Sequence, residues 1–120
     1  MVDLFSSMQL GSLALPNRLV RSATAERMAD LDGRPRPALR TLLKTLAEGG
    51  VGLIITGHMY VAPSGKCHPE MTGIYADDLI PDLASLVDAV HTAGGHVATQ
   101  MNHGGMQCSR ESVTQTVEPP

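Results

Sequence analysis

The feature that most constrains the fold is a unit that occurs twice: a helix pattern, a Gly-Gly pair, and a largely apolar strand pattern. In the first copy Leu39, Leu42, Leu43 and Leu46 fall at i, i+3, i+4 and i+7, a single apolar stripe on a helix. Pro37 suits the first helical turn, where its missing N–H costs nothing. Gly49-Gly50 can end the helix by taking positive φ. Val51-Gly52-Leu53-Ile54-Ile55-Thr56 follows, and such a run without alternation predicts a strand covered on both faces, as in a parallel sheet. In the second copy Leu83, Leu86, Val87 and Val90 repeat the spacing, with Asp77-Asp78 placed to favour the positive end of the helix dipole. Gly94-Gly95, 45 positions after the first stop, leads into a strand at His96-Val97-Ala98-Thr99-Gln100-Met101. Strands joined by helices define an α/β architecture with right-handed crossovers.

Upstream of this unit, Met8-Gln9-Leu10 and Leu13-Ala14-Leu15 flank Gly11-Ser12, which predicts a small hairpin over 8–15. Pro16-Asn17 interrupts the pattern before a first barrel-type strand near 18–23, and Asp32-Gly33 marks a loop after it. No G-x-G-x-x-G follows that strand and no G-x-x-x-x-G-K-[ST] occurs anywhere, so the phosphate fingerprint of a dinucleotide-binding sheet is missing. A barrel is therefore preferred over a doubly wound sheet, although periodicity alone leaves both open. The expected strands lie near 18–23, 51–56 and 96–101. Three strands fall far short of eight, and a whole (β/α)8 barrel takes about 200 residues or more. Residues 117–120 read as the middle of a loop. The expectation is an incomplete α/β domain over 1–120: the N-terminal portion of a (β/α)8 TIM barrel, with a hairpin, about three parallel strands and two helices.

Composition narrows the function classes. With 42% hydrophobic and 18% charged residues and a net charge of -3, the chain has the make-up of a water-soluble globular protein. No run reaches the ~18 apolar residues of a membrane span, and Met1 to Leu10 lacks the basic-then-apolar pattern of a secretory leader. Two cysteines imply no disulfide framework, so a cytoplasmic location is expected, with no membrane partner. Nine basic residues against twelve acidic, with no basic run, one Phe, two Tyr and no Trp, argue against a nucleic-acid partner.

Four stretches resemble one family. Leu4-Phe5-Ser6-Ser7-Met8-Gln9-Leu10-Gly11 followed by Leu15-Pro16-Asn17-Arg18-Leu19-Val20 resembles the opening of old yellow enzyme-type flavin oxidoreductases. Ser22-Ala23-Thr24 falls where that family begins its flavin site. Gly49 to Gly57 resembles the second barrel strand, with Gly65 and Gly73-Ile74-Tyr75 in the connection after it. His91-Thr92-Ala93-Gly94-Gly95 leading to Gln100-Met101-Asn102-His103-Gly104-Gly105 resembles the third strand and its Gln-x-x-His-x-Gly ending. The similarity covers nearly the whole chain in the family's order.

The resemblance implies FMN at the C-terminal strand ends and hydride transfer from NADH or NADPH through the flavin to a small-molecule acceptor such as an activated alkene. It assigns cofactor contacts to Ser22, Ala23, Thr24, Ala25, His58 and Gln100. The Gln100 amide offers a donor and an acceptor, which suits the alternating C=O and N–H edge of the flavin pyrimidine. A hydroxyl or backbone N–H at 22–25 suits charge on the reduced ring. The sequence departs from parts of the family at Ala23, where some members carry Pro, and at Ala25, where some carry a Cys that tunes the flavin. His58 replaces a smaller residue, so its contact is expected through main chain, with the imidazole free to face the next loop. The acceptor-binding pair belongs to a later strand, beyond Pro120, so no catalytic residue is assigned here. His103 is expected to shape a loop.

Cys67, His68, His103 and Cys108 include ligands that zinc favours, but neither cysteine has C-x-x-C spacing, and no metal site is expected. Other readings stay in view. The chain is a non-catalytic truncated remnant, or a split-barrel subunit needing a complementing chain or further copies of itself. A different barrel, such as a lysine-dependent aldolase, fits less well, because no lysine ends a candidate strand and Lys66 sits in a Gly-containing loop.

Overall fold

The computed structural model describes residues 3–109 and Ser112; the expected loop at 117–120 lies outside them. An antiparallel hairpin comes first, with β1 (Met8–Leu10) paired to β2 (Leu13–Leu15) and Gln9 opposite Ala14. Gly11 takes φ 60°, the left-handed value that the first central residue of a tight hairpin turn requires.

Three short strands then form a parallel sheet. β3 (Val20–Arg21) pairs with β4 (Leu53–Ile55), and β4 pairs with β6 (Val97–Ala98). Arg21 stands opposite Ile54, and Ile55 opposite Ala98, so the C-terminal ends of all three strands lie along one edge. A second parallel pair, β5 (Met59–Tyr60) with β7 (Met101–Asn102), continues beyond that edge. Met101, read from sequence as the last residue of the third strand, thus belongs to this separate ladder. The chain leaves β6 through polar, exposed Thr99 and Gln100. Pairing resumes where Met59 donates its N–H to the Gln100 carbonyl at 2.8 Å.

Helices α1 (Pro37–Glu48) and α2 (Ile80–Thr92) cover one face of the sheet. Their core is Leu39, Leu43 and Ala47 from α1, Leu86 and Val90 from α2, and Ile54 from β4. Leu42 and Leu46 are half-buried at the margin of the stripe. At the close approach of the two units, a methyl on Gly95 would stand 2.6 Å from Ala47 Cβ and 3.1 Å from Val90 Cγ1, so no larger residue fits without displacement. The acidic pair forms a 3-10 turn, Asp77–Leu79, ahead of α2 rather than its first turn. Asp78 and Asp82 instead bind Arg34, at 2.6 and 2.8 Å, and tie the 30–36 loop to the start of α2. Among the described residues no helix is long and apolar enough to cross a membrane.

Candidate functional site

The shared edge of β3, β4 and β6 brings together residues far apart in sequence. Ser22, Ala23, Thr24 and Ala25 follow β3, Thr56 to His58 follow β4, and Thr99-Gln100 follow β6. Ser22, Thr24, Ala25 and Gln100 are exposed on this edge, while Ala23 is half-buried. The backbone N–H groups of Ala23, Thr24 and Ala25 have no partner among the described residues. Thr24 Oγ1 donates to the Ser22 carbonyl at 3.2 Å, a contact within the turn that uses none of those N–H groups.

The loop is anchored by a residue that sequence reasoning missed. Both carboxylate oxygens of Glu26 accept from the Gly57 N–H at 3.1 Å, and Oε1 pairs with Arg21 Nη1 at 2.8 Å. Arg21 Nη1 also donates to the Ile55 carbonyl at 3.1 Å. The Glu26 and Arg21 side chains are 8% and 17% exposed, so this is a mostly dry ion pair, with further bonds from Gly57 N–H to the carboxylate and from Arg21 Nη1 to the Ile55 carbonyl. Gly57 is required for the approach: a methyl there would collide with the Glu26 carboxylate and the Thr24 carbonyl. Arg27 then takes φ 55°, a left-handed turn uncommon outside glycine, and redirects the chain toward Ala29. The clue available in sequence was an arginine inside a strand with a glutamate five positions later, a pair that burial forces together.

His58 follows Gly57, but its ring turns away from the edge. Asn102 Nδ2 lies 2.9 Å from His58 Nδ1, and His58 Nε2 lies 3.3 Å from His68 Nε2. Since an amide nitrogen only donates, Nδ1 accepts and Nε2–H is the donor to His68. What His58 leaves to the strand edge is its main chain. Burial, assisted by Arg27 and His58, pushes the His68 imidazole below its ordinary value, with Glu70 opposing. His103 accepts from the Gly105 N–H at Nδ1, 3.2 Å, and meets Ser64 Oγ at 3.3 Å through Nε2, which fixes the loop after β7.

Lys66 lies in the Gly-containing loop after β5, yet its side chain is buried. It is 8% exposed, donates to the Leu31 carbonyl, and lies 5.4 Å over the Tyr60 ring. Burial lowers its pKa against the pull of Asp30, Asp32 and Glu70. Among the described residues no three His, Cys, Asp or Glu side chains are grouped to hold a metal ion. A groove of about 460 Å³ runs between α1 and α2 past Arg40, Lys44, Ser85 and Asp88, and no strand-end residue lines it.

Parallel strands with their C-terminal ends aligned, helices on one face, and polar groups along that edge define the N-terminal portion of a (β/α)8 barrel. Residues 3–120 match the NADH:flavin oxidoreductase / NADH oxidase family. The NADPH dehydrogenase of Halalkalibacterium halodurans is 37% identical over 103 residues, covering 85% of this chain and 30% of that protein. Morphinone reductase in complex with tetrahydroNAD superposes with a TM-score of 0.80 at 30% identity, over 88% of this chain and 28% of that one. Old Yellow Enzyme from Pichia sp. AKU4542 superposes at 0.84 and 26% identity, over 89% and 28%. The chain belongs to the NADH:flavin oxidoreductase / NADH oxidase family. It spans under a third of the length of each of these relatives.

Proposed function

We propose that the chain supplies the first side of an FMN site in an NAD(P)H-dependent oxidoreductase whose final acceptor is a small molecule such as an activated alkene. The observation that carries the reading is the strand-end edge, where Ala23, Thr24 and Ala25, whose N–H groups have no partner among the described residues, and exposed Gln100 follow strands that end side by side. Those groups fit a planar ring that presents carbonyl and ring-nitrogen acceptors beside an N–H donor. FMN, when bound, supplies the hydride chemistry, while protein groups set its orientation and electronics.

In this reading the Gln100 amide pairs with the pyrimidine edge, donating to a carbonyl and accepting from N–H. The N–H groups at 23–25 stabilise negative charge near the ring's central nitrogen, as donors aimed at developing charge do. Ser22 and the main chain of His58 complete the contact. Glu26 and Arg21 act by position: they fix the 22–26 turn against Gly57. NADH or NADPH is the reductant, and location in the cytoplasm goes with a reduced cysteine pair.

The test replaces the matching segment of the Halalkalibacterium NADPH dehydrogenase with this chain and measures bound flavin by visible absorption. The chimera should retain FMN and oxidise NADPH, and Gln100→Leu within it should weaken flavin retention by at least about tenfold, the loss of more than one good hydrogen bond. A folded chimera whose FMN affinity ignores Gln100→Leu and tightening or blocking substitutions at Thr24 would sink the assignment. A second reading, a split barrel completed by another chain or by further copies, is favoured by one observation. β3 and β6 are the outer strands of the three-stranded sheet, and Val20 at that margin is 48% exposed.

A further inference from the structure

Two cysteines separated by 41 positions meet in the loops beyond the strand-end edge. Cys67 follows the 3-10 turn Pro63–Gly65, and Cys108 closes the turn Gly105–Gln107. Their thiols hang from adjacent carbonyls: Cys67 Sγ lies 3.8 Å from the Gly65 oxygen and Cys108 Sγ 3.5 Å from the Ser64 oxygen. Gly104 lies between them. A methyl built on it would collide with both sulfurs at once, so both border the same carbon-sized gap. Backbone bonds bracket the pair, from Gly104 N–H to the Gly65 carbonyl at 2.9 Å and from Ser109 N–H to the Cys67 carbonyl at 3.2 Å. Both cysteines are free and only partly buried, within reach of small reagents.

We propose that Cys67 and Cys108 form a dithiol modification site, which takes a small-molecule disulfide as oxidant and closes to an intramolecular disulfide joining the loop after β5 to the turn after β7. In the first step the Cys67 thiolate attacks one sulfur of the small disulfide. The S–S bond of the reagent breaks, one small thiol leaves, and Cys67 carries the other half as a mixed disulfide. Cys108 then gives its proton to solvent and attacks the Cys67 sulfur, forming the Cys67–Cys108 bond and expelling the second small thiol. The protein loses two electrons and two protons, and the reagent gains both as two thiols. Cys108 suits the second role, because burial and the neighbouring Cys67 push its thiol up, which makes it the slower first attacker. The site is wired to the strand-end edge: Asn102 Nδ2 contacts Cys67 Sγ at 3.5 Å and His58 Nδ1 at 2.9 Å. Oxidation therefore replaces one contact of the amide that holds the His58 ring.

The experiment equilibrates the reduced 120-residue chain with oxidised and reduced glutathione at a series of ratios. Free thiols are then trapped by alkylation, and products are read by intact mass and peptide mapping. The expected product has no free thiol, no glutathione adduct, and a linked peptide pair containing Cys67 and Cys108. The native chain should form it at a glutathione ratio more reducing by at least roughly tenfold than the urea-denatured chain requires, about 30 mV in potential. Gly104→Val, which forces the sulfurs apart, should erase that advantage. Glutathione adducts on both cysteines, bonds between chains, or equal behaviour of native and denatured chain would each overturn the proposal.

Discussion

Glu26→Ala removes the carboxylate that ties the 22–26 turn to Gly57. It leaves the Gly57 N–H without its acceptor and leaves Arg21, 17% exposed, with the Ile55 carbonyl as its remaining partner among the described residues. Deleting one member of a buried ion pair costs about 3–5 kcal/mol, because the surviving charge stays in a poor solvent. Arg21 keeps a carbonyl and some water, so the lower end applies, about 3 kcal/mol. With a urea slope of ~1.5 kcal/mol/M for a small chain, the unfolding midpoint falls by about 2 M. Glu26→Gln keeps an acceptor for Gly57 at the same length and loses only the charge, so about half that cost is expected. Arg21→Met removes the partner charge, and the double variant Arg21→Met/Glu26→Gln should lose less than the sum of the two single changes, since both act on one contact. The assay is urea unfolding followed by far-ultraviolet circular dichroism. A Glu26→Ala midpoint that moves by no more than a surface substitution, within about 0.5 kcal/mol, refutes the reasoning.

Two further outcomes follow from the packing and the charges. Gly95→Ala drives a methyl into Ala47 and Val90 at the α1–α2 crossing, and should destabilise by about 1–3 kcal/mol in the same assay; pairing it with Ala47→Gly should recover part of the loss, and no recovery would place the strain elsewhere. His68 has its folded pKa depressed below the ordinary 6.5, so the unfolded chain binds the extra proton more readily than the folded one does. The stability it contributes is complete above pH 6.5 and declines as pH falls through the folded value. His68→Gln should flatten the unfolding midpoint against pH on that acid side, and an unchanged profile would show that His68 is not the group responsible.

Much of the scaffold was legible because helix and strand periodicities are local. The spacing of Leu39, Leu42, Leu43 and Leu46, and of Leu83, Leu86, Val87 and Val90, encodes which face of each helix is covered whatever the partner is. Gly11-Ser12 dictates a hairpin, and the apolar run through Leu53-Ile54-Ile55 dictates a covered strand. The motif endings placed Ser22 to Ala25, His58 and Gln100 at the ends of strands. What the chain order could not say is which of these ends meet, and through whom. Glu26 reaches Gly57 across 31 positions and Arg21 reaches Ile55 across 34. Those contacts exist only once β3 and β4 lie in register, because side chains a few ångströms apart in space carry no periodic signal when dozens of residues separate them. The same holds for the His58 ring, drawn to His68 and Asn102 rather than to the edge beside it, and for Lys66, whose charge is buried over Tyr60. It holds also for the split of Val97–Ala98 from Met101–Asn102 into two ladders, which depends on where Met59–Tyr60 offers its edge. Sequence alone determined the elements and the faces they bury; the register of three parallel strands decided which polar groups meet at their ends, since only that alignment brings distant partners within hydrogen-bonding range.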